Sequence, residues 1–414
     1  MGAQQFGTDA LLIDMTPRNR VLRLDPHDGT VEVEAGIQWP ALIRHLQKLQ
    51  QGCPQPWGIA QKQTGADQLS IGGAIAANAH GRGLRMAPLI ADVESLVLVD
   101  ASGSLRTCNR REHAALFRLV IGGYGLFGIV SSVTLRLVPR QKLERVVAIA
   151  YLDDLLPAFE RRIADGFLYG DFQFAIDATS DDFLRKGVLS CYRPVASATA
   201  IPSGQKELSG RQWRRLLYLA HVDKGQAFQQ YAAYYLSTSG QIYWSDTHQL
   251  TTYLHDYHRL LDRRLGVHAR GTEIITEIYV PRQALTGFMQ EVRADFRTRS
   301  VDVIYGTIRL IERDEESFLA WAKQPYACII FNLHTVHTLS GLAGSAAAFR
   351  CLIDMAIRRG GSYYLTYHKY ATRAQVEACY PQFPAFLRRK ETYDPQGRFQ
   401  SDWYRHYKAM FAEG

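Results

Sequence analysis

The stretch that decides this fold is Gln63–Gly83, which reads QTGADQLSIGGAIAANAHGRG. It is poor in charge and rich in Gly and Ala, with one Thr, one Ser and one His among small residues. Glycines permit turns with positive φ, and bare main-chain amides then donate to phosphate oxygens. A helix over Gly73–Asn78 would add the positive end of its dipole. The stretch therefore predicts either a cradle for a bound anion or a tight loop against a small-residue helix.

Length and composition are those of an ordinary globular enzyme. The chain has 414 residues, enough for two or three domains, with 47% apolar and 21% charged residues. No apolar run in the sequence approaches the length of a membrane span, and Met1–Gln5 lacks the features of a signal peptide. The six cysteines have no metal-binding spacing. We therefore expect a cytoplasmic protein with reduced thiols.

The formal net charge of +8 is spread over the chain as isolated arginine pairs. A nucleic-acid-binding surface usually concentrates such residues among aromatic ones, so nucleic acid is not an expected partner. Anionic ligands, or weak peripheral attraction to an acidic membrane surface, suit this pattern better. Solvated helix faces explain most of the pairs equally well. No obligate protein partner is evident.

The N-terminal part of the chain contains clear local signals. Asp28-Gly29 separates two alternating segments and predicts a hairpin, and Trp39–Leu49 has the apolar spacing of a helix. Gly123–Gly128 formally matches G-x-G-x-x-G. A dinucleotide-binding motif of that kind follows a strand and opens a helix. Here a helical pattern precedes the glycines and a strand pattern over Ile129–Val138 follows, so we predict another cofactor surface or a tight turn.

From Leu143 onward, strand patterns such as Ile274–Val280 alternate with amphipathic helical patterns such as Glu315–Ala322. This order predicts an antiparallel sheet covered by helices, and hence an α+β fold. Near the end, Tyr363–Tyr370 predicts a strand, and Thr372 caps a predicted helix that runs to Tyr380.

Segments at both ends of the chain occur in the order found in a known family: Leu12–Pro17, Val33–Gly36, Thr64–Gly81, Gly122–Val130, Tyr380-Pro381, Asp394-Pro395 and Phe399–Asp402. By these segments the chain resembles the FAD-binding oxidoreductases of the vanillyl-alcohol-oxidase type, with their PCMH-type FAD domain. Within that family it is most similar to the sugar-lactone and alditol oxidases and to decaprenylphosphoryl-ribose oxidase.

The resemblance implies a two-domain flavoprotein with FAD as cofactor. Residues 1–142 would form the FAD domain, residues 143–362 a substrate cap of antiparallel sheet flanked by helices, and residues 363–414 a segment that returns to the FAD domain. Family members begin with a further stretch that carries the first diphosphate loop. This sequence starts inside the end of that loop, so we expect the first subdomain to be missing.

The resemblance also implies residues that contact the cofactor. For the diphosphate and ribityl chain they are Thr64, Gly65, Ser70, Gly72, Gly73 and Ala74. Near the flavin or its phosphates they are Asn78, His80 and Gly81. At the adenine end they are Gly125, Gly128, Ile129 and Val130.

The catalytic candidates are His368 and Lys369. Oxidation of a carbinol requires hydride transfer to flavin N5 and a base for the hydroxyl proton. Neighbours on a strand point to opposite faces, so only one of the two residues can face the flavin. The resemblance favours Lys369, with His368 as a supporting group or base. The alternative is an exposed lysine beside a packed histidine.

The substrate candidates lie on two predicted strands. Asn332 and His334 share a face of one strand, and Glu277 and Tyr279 share a face of another together with Glu273. Each row lines a sugar pocket or faces solvent. We expect no metal site, because His334 and His337 point to different faces.

Three functions are compatible with these observations. The first is FAD-dependent oxidation of a CH–OH group in a small molecule: a sugar, a lactone such as D-arabinono-1,4-lactone, or a polyol. The second is reduction of a C=C bond in a lipid or sterol, which the aromatic residues within Gln212–His258 would suit. The third is a truncated homologue without catalysis. The ordered motifs favour the first.

Overall fold

Two antiparallel sheets and the helices packed on them make up the computed structural model, which describes residues 6–251, 254 and 257–412. Every strand pair in that part of the chain is antiparallel. The α+β class predicted from the sequence is therefore confirmed.

The first sheet comes from the N-terminal part of the chain. Its strands are β1 (Val21–Asp25), β2 (Thr30–Glu34), β3 (Trp57–Ile59), β4 (Val93–Val99), β5 (Leu105–Asn109) and β6 (Ile129–Pro139). They lie in the order β1-β2-β6-β4-β5, with β3 also paired to β6. The hairpin predicted at Asp28-Gly29 is confirmed, and Gly29 takes the positive φ of 62° that its turn requires.

The second sheet has eight strands in the order β10-β7-β9-β8-β12-β13-β11-β14. These are β7 (Lys142–Tyr151), β8 (Tyr169–Phe174), β9 (Lys186–Pro194), β10 (Ile242–Trp244), β11 (Gly271–Pro281), β12 (Val303–Ile311), β13 (Tyr326–Val336) and β14 (Ser362–Tyr363). Backbone hydrogen bonds from Leu84 to Leu168 and from Gly170 to Arg82 join this sheet to the N-terminal part.

The helices are α1 (Trp39–Leu49), α2 (Ile71–Ala76), α3 (Ala114–Val120), α4 (Leu155–Ala164), α5 (Gly210–Val222), α6 (Lys224–Ser237), α7 (Tyr257–Leu265), α8 (Leu285–Thr298), α9 (Leu339–Ile357), α10 (Arg373–Cys379), α11 (Phe383–Tyr393) and α12 (Asp402–Ala412). Helix α1 has the predicted limits, because Leu42, Ile43 and Leu46 form one buried stripe. The Thr372 cap of α10 is confirmed, and Gln375 completes a capping box.

Two predicted elements are wrong. Residues 315–322 form a loop, in which the Asp314 carboxylate accepts hydrogen bonds from the amides of Glu316 and Ser317. Such side-chain bonds compete with helix formation. The strand predicted over Tyr363–Tyr370 ends at Tyr363, and the chain then leaves the sheet through turns.

The second sheet has two distinct faces. Helices α8 and α9 contact one face, where Thr335 of β13 is hydrogen-bonded to Ser345 of α9. Helix α9 is long and apolar enough to cross a membrane by length and composition, yet here it packs on the sheet. The opposite face, which we call the inner face, carries the side chains of Glu273, Glu277 and Tyr279 and of their cross-strand partners His334 and Cys328.

The first prediction concerns the turn between α3 and β6. A Cβ at Gly123 would lie 2.0 Å from the Leu119 carbonyl oxygen. We expect Gly123→Ala to destabilise the protein by about 1–3 kcal/mol in urea unfolding, because the backbone must move. Gly344 in α9 has no atom within 4 Å of the position that a new methyl group would take, so Gly344→Ala should stabilise by about 0.5–1 kcal/mol. Equal effects of the two substitutions would contradict this interpretation.

Candidate active site

A fully buried carboxylate lies where the N-terminal part of the chain meets the second sheet. Glu277 of β11 has 0% exposure. Its Oε2 lies 2.8 Å from Nε2 of His80, and it also accepts the hydroxyl of Tyr279 at 2.9 Å. Its Oε1 accepts the hydroxyl of Tyr367 at 2.8 Å. We call Glu277, His80, Tyr279 and Tyr367 the Glu277 site.

His80 meets an acceptor at both ring nitrogens. Its Nδ1 lies 3.0 Å from the Gly81 carbonyl oxygen, while Nε2 faces the Glu277 carboxylate. A carbonyl and a carboxylate only accept hydrogen bonds, so a proton on either ring nitrogen has an acceptor within hydrogen-bond distance. His80 and Glu277 thus form a fully buried histidine–carboxylate pair, in which each partner compensates the burial of the other.

Gln63 links this site to the glycine-rich stretch. Its Oε1 accepts the His80 amide at 3.2 Å, and its Nε2 lies 3.3 Å from the Tyr367 hydroxyl oxygen. Tyr367 comes from the turns that follow β14, so three separate parts of the chain supply the site. The site is thus an interface between sheet and loop.

Charge around Glu277 sets its ionisation. Burial alone would raise the pKa of this carboxyl. The charge and hydrogen bond of His80, together with the Arg309 guanidinium, lower the pKa of Glu277 to about 2. The Nε and Nη1 atoms of Arg309 are buried and lack a hydrogen-bond partner among the described residues. Arg309 therefore brings an incompletely bonded cation to the inner face.

The two glycine segments lie against each other. The amide of Gly122 donates to the Ile75 carbonyl, and the amide of Tyr124 donates to the Ala76 carbonyl, both at 2.9 Å. Because α3 precedes this turn and β6 follows it, the rejection of a Rossmann motif is confirmed. Gly125 is exposed, whereas Ile129 and Val130 begin β6 and pair with β4. Gly128 has a φ of 146° and packs against Val99.

The first amides of α2 are already bonded within the protein. Gly72 donates to the Ala35 carbonyl at 2.7 Å, and Gly73 donates to the Ser70 side chain at 3.2 Å. Ala74 is buried. These amides are therefore not free to bind an anion, contrary to the prediction for this helix terminus. Ser70 acts as the helix cap.

The preceding loop does fit a bound phosphate group. Thr64 has a buried Oγ1 without a hydrogen-bond partner among the described residues. Gly65 is exposed with a φ of +81°, and no atom lies within 4 Å of the position that a Cβ would take. A free hydroxyl beside a glycine with open space suits close approach of a cofactor oxygen. The residues present are therefore compatible with FAD at Thr64-Gly65.

Asn78 and Gly81 have structural partners. The Asn78 amide group donates to Asp314 at 2.9 Å, and its Oδ1 accepts from Ile90 at 3.0 Å. Gly81 donates to Gln61 at 3.1 Å. Asn78 therefore joins the glycine-rich stretch to the loop after β12.

The two catalytic candidates do not reach the Glu277 site. His368 is hydrogen-bonded to Thr276, which faces away from Glu277 on β11, and its ring stacks on Phe349 of α9. Burial lowers the pKa of His368 to about 3, so it is neutral. Lys369 is exposed. We expected one of the two to face the site because we predicted a strand here; residues 364–370 form turns instead, and Tyr367 faces the site.

The four substrate candidates lie on the inner face. Glu277 and Tyr279 belong to the Glu277 site. Asn332 pairs with Ile275 and has a buried Oδ1 without a partner among the described residues. His334 pairs with Glu273, further along the same strands. Strand alternation predicted that each pair shares a face of its own strand, and the register of β11 with β13 places both pairs on the same face of the sheet.

Sequence reasoning missed Gln63, Arg309 and Tyr367. Arg309 lies on β12, where its charge among apolar neighbours is the available signal. Gln63 opens the glycine-rich stretch, and nothing local distinguishes its side chain. Tyr367 was hidden by the wrong strand prediction.

Comparison with known proteins points to a flavin cofactor. Residues 1–109 match the FAD binding domain family. L-gulono-1,4-lactone dehydrogenase of Mycobacterium tuberculosis is 26% identical over 408 residues, which cover 96% of this chain and 86% of the relative. L-gulonolactone oxidase of Bos taurus is 31% identical over 36% of this chain and 32% of its own length. A putative D-arabinono-1,4-lactone oxidase of Neurospora crassa is 29% identical over 32% of this chain and 22% of its own length.

Fold, site and matches together define an FAD-dependent oxidoreductase, and FAD is its cofactor. More specifically, the chain is an oxidoreductase that acts on CH–OH donors of small molecules.

The second prediction concerns the ionisation of Glu277. Its pKa falls from 4.5 to about 2 on folding, so ionised Glu277 contributes stability on the order of 3 kcal/mol above pH 4.5, lost as pH falls towards 2. We therefore expect Glu277→Gln to lower the free energy of unfolding markedly near neutral pH and less near the acid end of this range. Urea unfolding at both pH values measures this difference.

The control for this experiment is Glu315→Gln. The Glu315 side chain is 72% exposed and pairs with Arg313 at 3.6 Å. Its substitution should change stability by less than about 0.5 kcal/mol at either pH. A Glu277→Gln deficit that is the same at both pH values would contradict the assigned pKa.

Proposed function

We propose that this protein oxidises a CH–OH group of a sugar lactone, or of a related sugar or polyol, by hydride transfer to FAD. The observation that carries the proposal is the position of the Glu277 site, where the FAD-binding part of the chain and the second sheet both contribute polar side chains. The lactone dehydrogenase of M. tuberculosis, aligned over 96% of the chain, supports the substrate class.

We also propose the two-domain arrangement of the vanillyl-alcohol-oxidase type. The first sheet ends at Pro139 and the second begins at Lys142, which agrees with an FAD domain followed by a cap. The inner face of the second sheet would then cover the flavin. Bound FAD would supply the hydride acceptor.

In this proposal, the residues of the Glu277 site orient the substrate and supply charge. A carboxylate with a pKa of about 2 remains ionised at neutral pH and is a weak base. We therefore assign Glu277 a positioning role, in which it fixes the hydroxyl of Tyr367 and the ring of His80. The guanidinium of Arg309 would stabilise negative charge that develops on the inner face.

The third prediction tests the substrate class. FAD-loaded protein should lose its oxidised flavin absorbance anaerobically on addition of L-gulono-1,4-lactone, D-arabinono-1,4-lactone or a related polyol. Tyr367→Phe should slow this reduction about 10–100-fold at unchanged FAD content, because the substrate hydroxyl loses an orienting group. Tyr370→Phe is the matched control, since Tyr370 stacks on Phe349 away from the site. Reduction by a nicotinamide, with no response to any CH–OH donor, would overturn the proposal in favour of a reductase.

The fourth prediction tests the FAD loop. Gly65 and Gly103 have φ values of +81° and +84°, and neither has an atom within 4 Å of its Cβ position. Alanine should therefore cost about 1–2 kcal/mol of stability at both positions. Only Gly65→Ala should weaken FAD binding, by at least about tenfold, because its methyl group enters the cofactor space. Equal FAD affinity in the two variants, measured by flavin fluorescence, would contradict this assignment.

A further inference from the structure

A second buried polar cluster lies on the inner face, four residues along β11 from Glu277 and thus about 13 Å away. Its centre is the carboxylate of Glu273. Around it lie His221 of α5, His334 of β13, and Tyr257 and His258 of α7. We call these five residues the Glu273 cluster. No role in the proposed oxidation involves it.

Three ligand atoms of the cluster converge on one point. Oε1 of Glu273 lies 3.1 Å from Nε2 of His221 and 3.5 Å from Nδ1 of His334. All three atoms lie within 4.8 Å of one another. Two ligands held at zinc–nitrogen or zinc–oxygen distances in a tetrahedral site are about 3.3 Å apart. The separations from Oε1 therefore match those of ligands that share one ion.

These atoms are buried and unsatisfied. The side chains of His221 and Glu273 are 4% and 3% exposed. Neither Nε2 of His221, Nδ1 of His334 nor Oε1 of Glu273 has a hydrogen-bond partner of acceptable geometry in the described ranges. The nitrogens of His221 and His334 face Oε1 of Glu273 as ion-pair contacts, and a cation between the three atoms would satisfy all of them at once.

The other oxygen of Glu273 is held in place. Oε2 lies 2.6 Å from Nε2 of His258 and accepts the hydroxyl of Tyr257. Outer partners of this kind orient a carboxylate so that its free oxygen points at a metal ion. The rings of His221 and His334 meet edge to face at 90°, with centroids 4.9 Å apart.

The backbone also makes room for this arrangement. A Cβ at Gly271 would lie 2.2 Å from Cε1 of His334, so only glycine at the start of β11 allows the ring its position. A cavity of about 550 Å³ lined by His258, His268 and Gly271, among others, adjoins the cluster.

We propose that His221, Glu273 and His334 bind a divalent transition-metal ion. Two imidazoles and one carboxylate suit Zn²⁺ or Fe²⁺ and leave a coordination position for water. We expected no metal site from the sequence because His334 and His337 of the same segment point to different faces. The partner that completes the set, His221, comes from a distant helix.

The test uses FAD-loaded protein dialysed against a chelator and titrated with Zn²⁺ by calorimetry. We expect one ion per chain, and X-ray absorption should give nitrogen and oxygen ligands at about 2.0–2.1 Å with imidazole scattering. Substituting a residue that only hydrogen-bonds to a metal ligand typically lowers metal affinity by about 10–100-fold. We expect His221→Ala and His334→Ala, which each remove a ligand, to weaken Zn²⁺ binding by more than that. His268→Ala is the control. His268 is exposed and lines the adjoining cavity but is not one of the three proposed ligands, so this variant should bind Zn²⁺ as tightly as the wild-type protein.

Two further measurements keep the proposal falsifiable if a histidine variant fails to fold. Zn²⁺ should raise the thermal unfolding midpoint of the wild-type protein, because it binds only the folded chain. Gly271→Ala, which retains every ligand but displaces the His334 ring, should reduce that rise. A wild-type protein that binds no Zn²⁺ would overturn the proposal. The Sγ of Cys328 lies 3.9 Å from Oε2 of Glu277 and from Nε2 of His80. Zn²⁺ binding that survives both histidine substitutions but is lost in Cys328→Ser would therefore also overturn the proposal, by assigning the ion to the Glu277 site.

Discussion

The buried pair of Glu277 and His80 is the constraint on which the arrangement of this protein depends. The Glu277 carboxylate has 0% exposure and therefore requires a cation and hydrogen-bond donors. Its own strand supplies one donor, the hydroxyl of Tyr279. The glycine-rich stretch supplies His80, and the segment after β14 supplies Tyr367. Removing one partner of such a pair typically costs about 3–5 kcal/mol, because the other charge stays buried. The pair thus fixes the N-terminal part of the chain on the inner face.

A second buried pair, Lys62 and Asp67, fixes the loop that contains Thr64 and Gly65. Lys62 donates to Asp67 at 2.6 Å and to the carbonyls of Gln63 and Gln249. Both ends of the loop are therefore held, while Gly65 between them remains exposed. The cofactor loop and the Glu277 site share Gln63, so displacement of one is expected to move the other.

The sequence predicted what local periodicity controls. The alternation of β11 placed Glu277 with Tyr279, and that of β13 placed Asn332 with His334, because side-chain direction in a strand depends only on position. The sequence could not predict which side chains from other segments of the chain contact this face. Residues 363–370 have the aromatic content of a strand, yet the hydroxyl of Tyr364 bonds the Ala77 carbonyl and that of Tyr367 bonds Glu277. These tertiary contacts outweigh local β propensity.

Glu273 and Glu277 show that burial on a common face does not define a role. They are the same residue type on one strand, with side chains that are 3% and 0% exposed. Both oxygens of Glu277 accept hydrogen bonds, so its charge is fully compensated within the protein. Glu273 has one oxygen bonded, while the other converges with two imidazole nitrogens on a common point. A carboxylate that is satisfied on every side positions its neighbours, whereas one that is satisfied on a single side retains the capacity to bind a ligand.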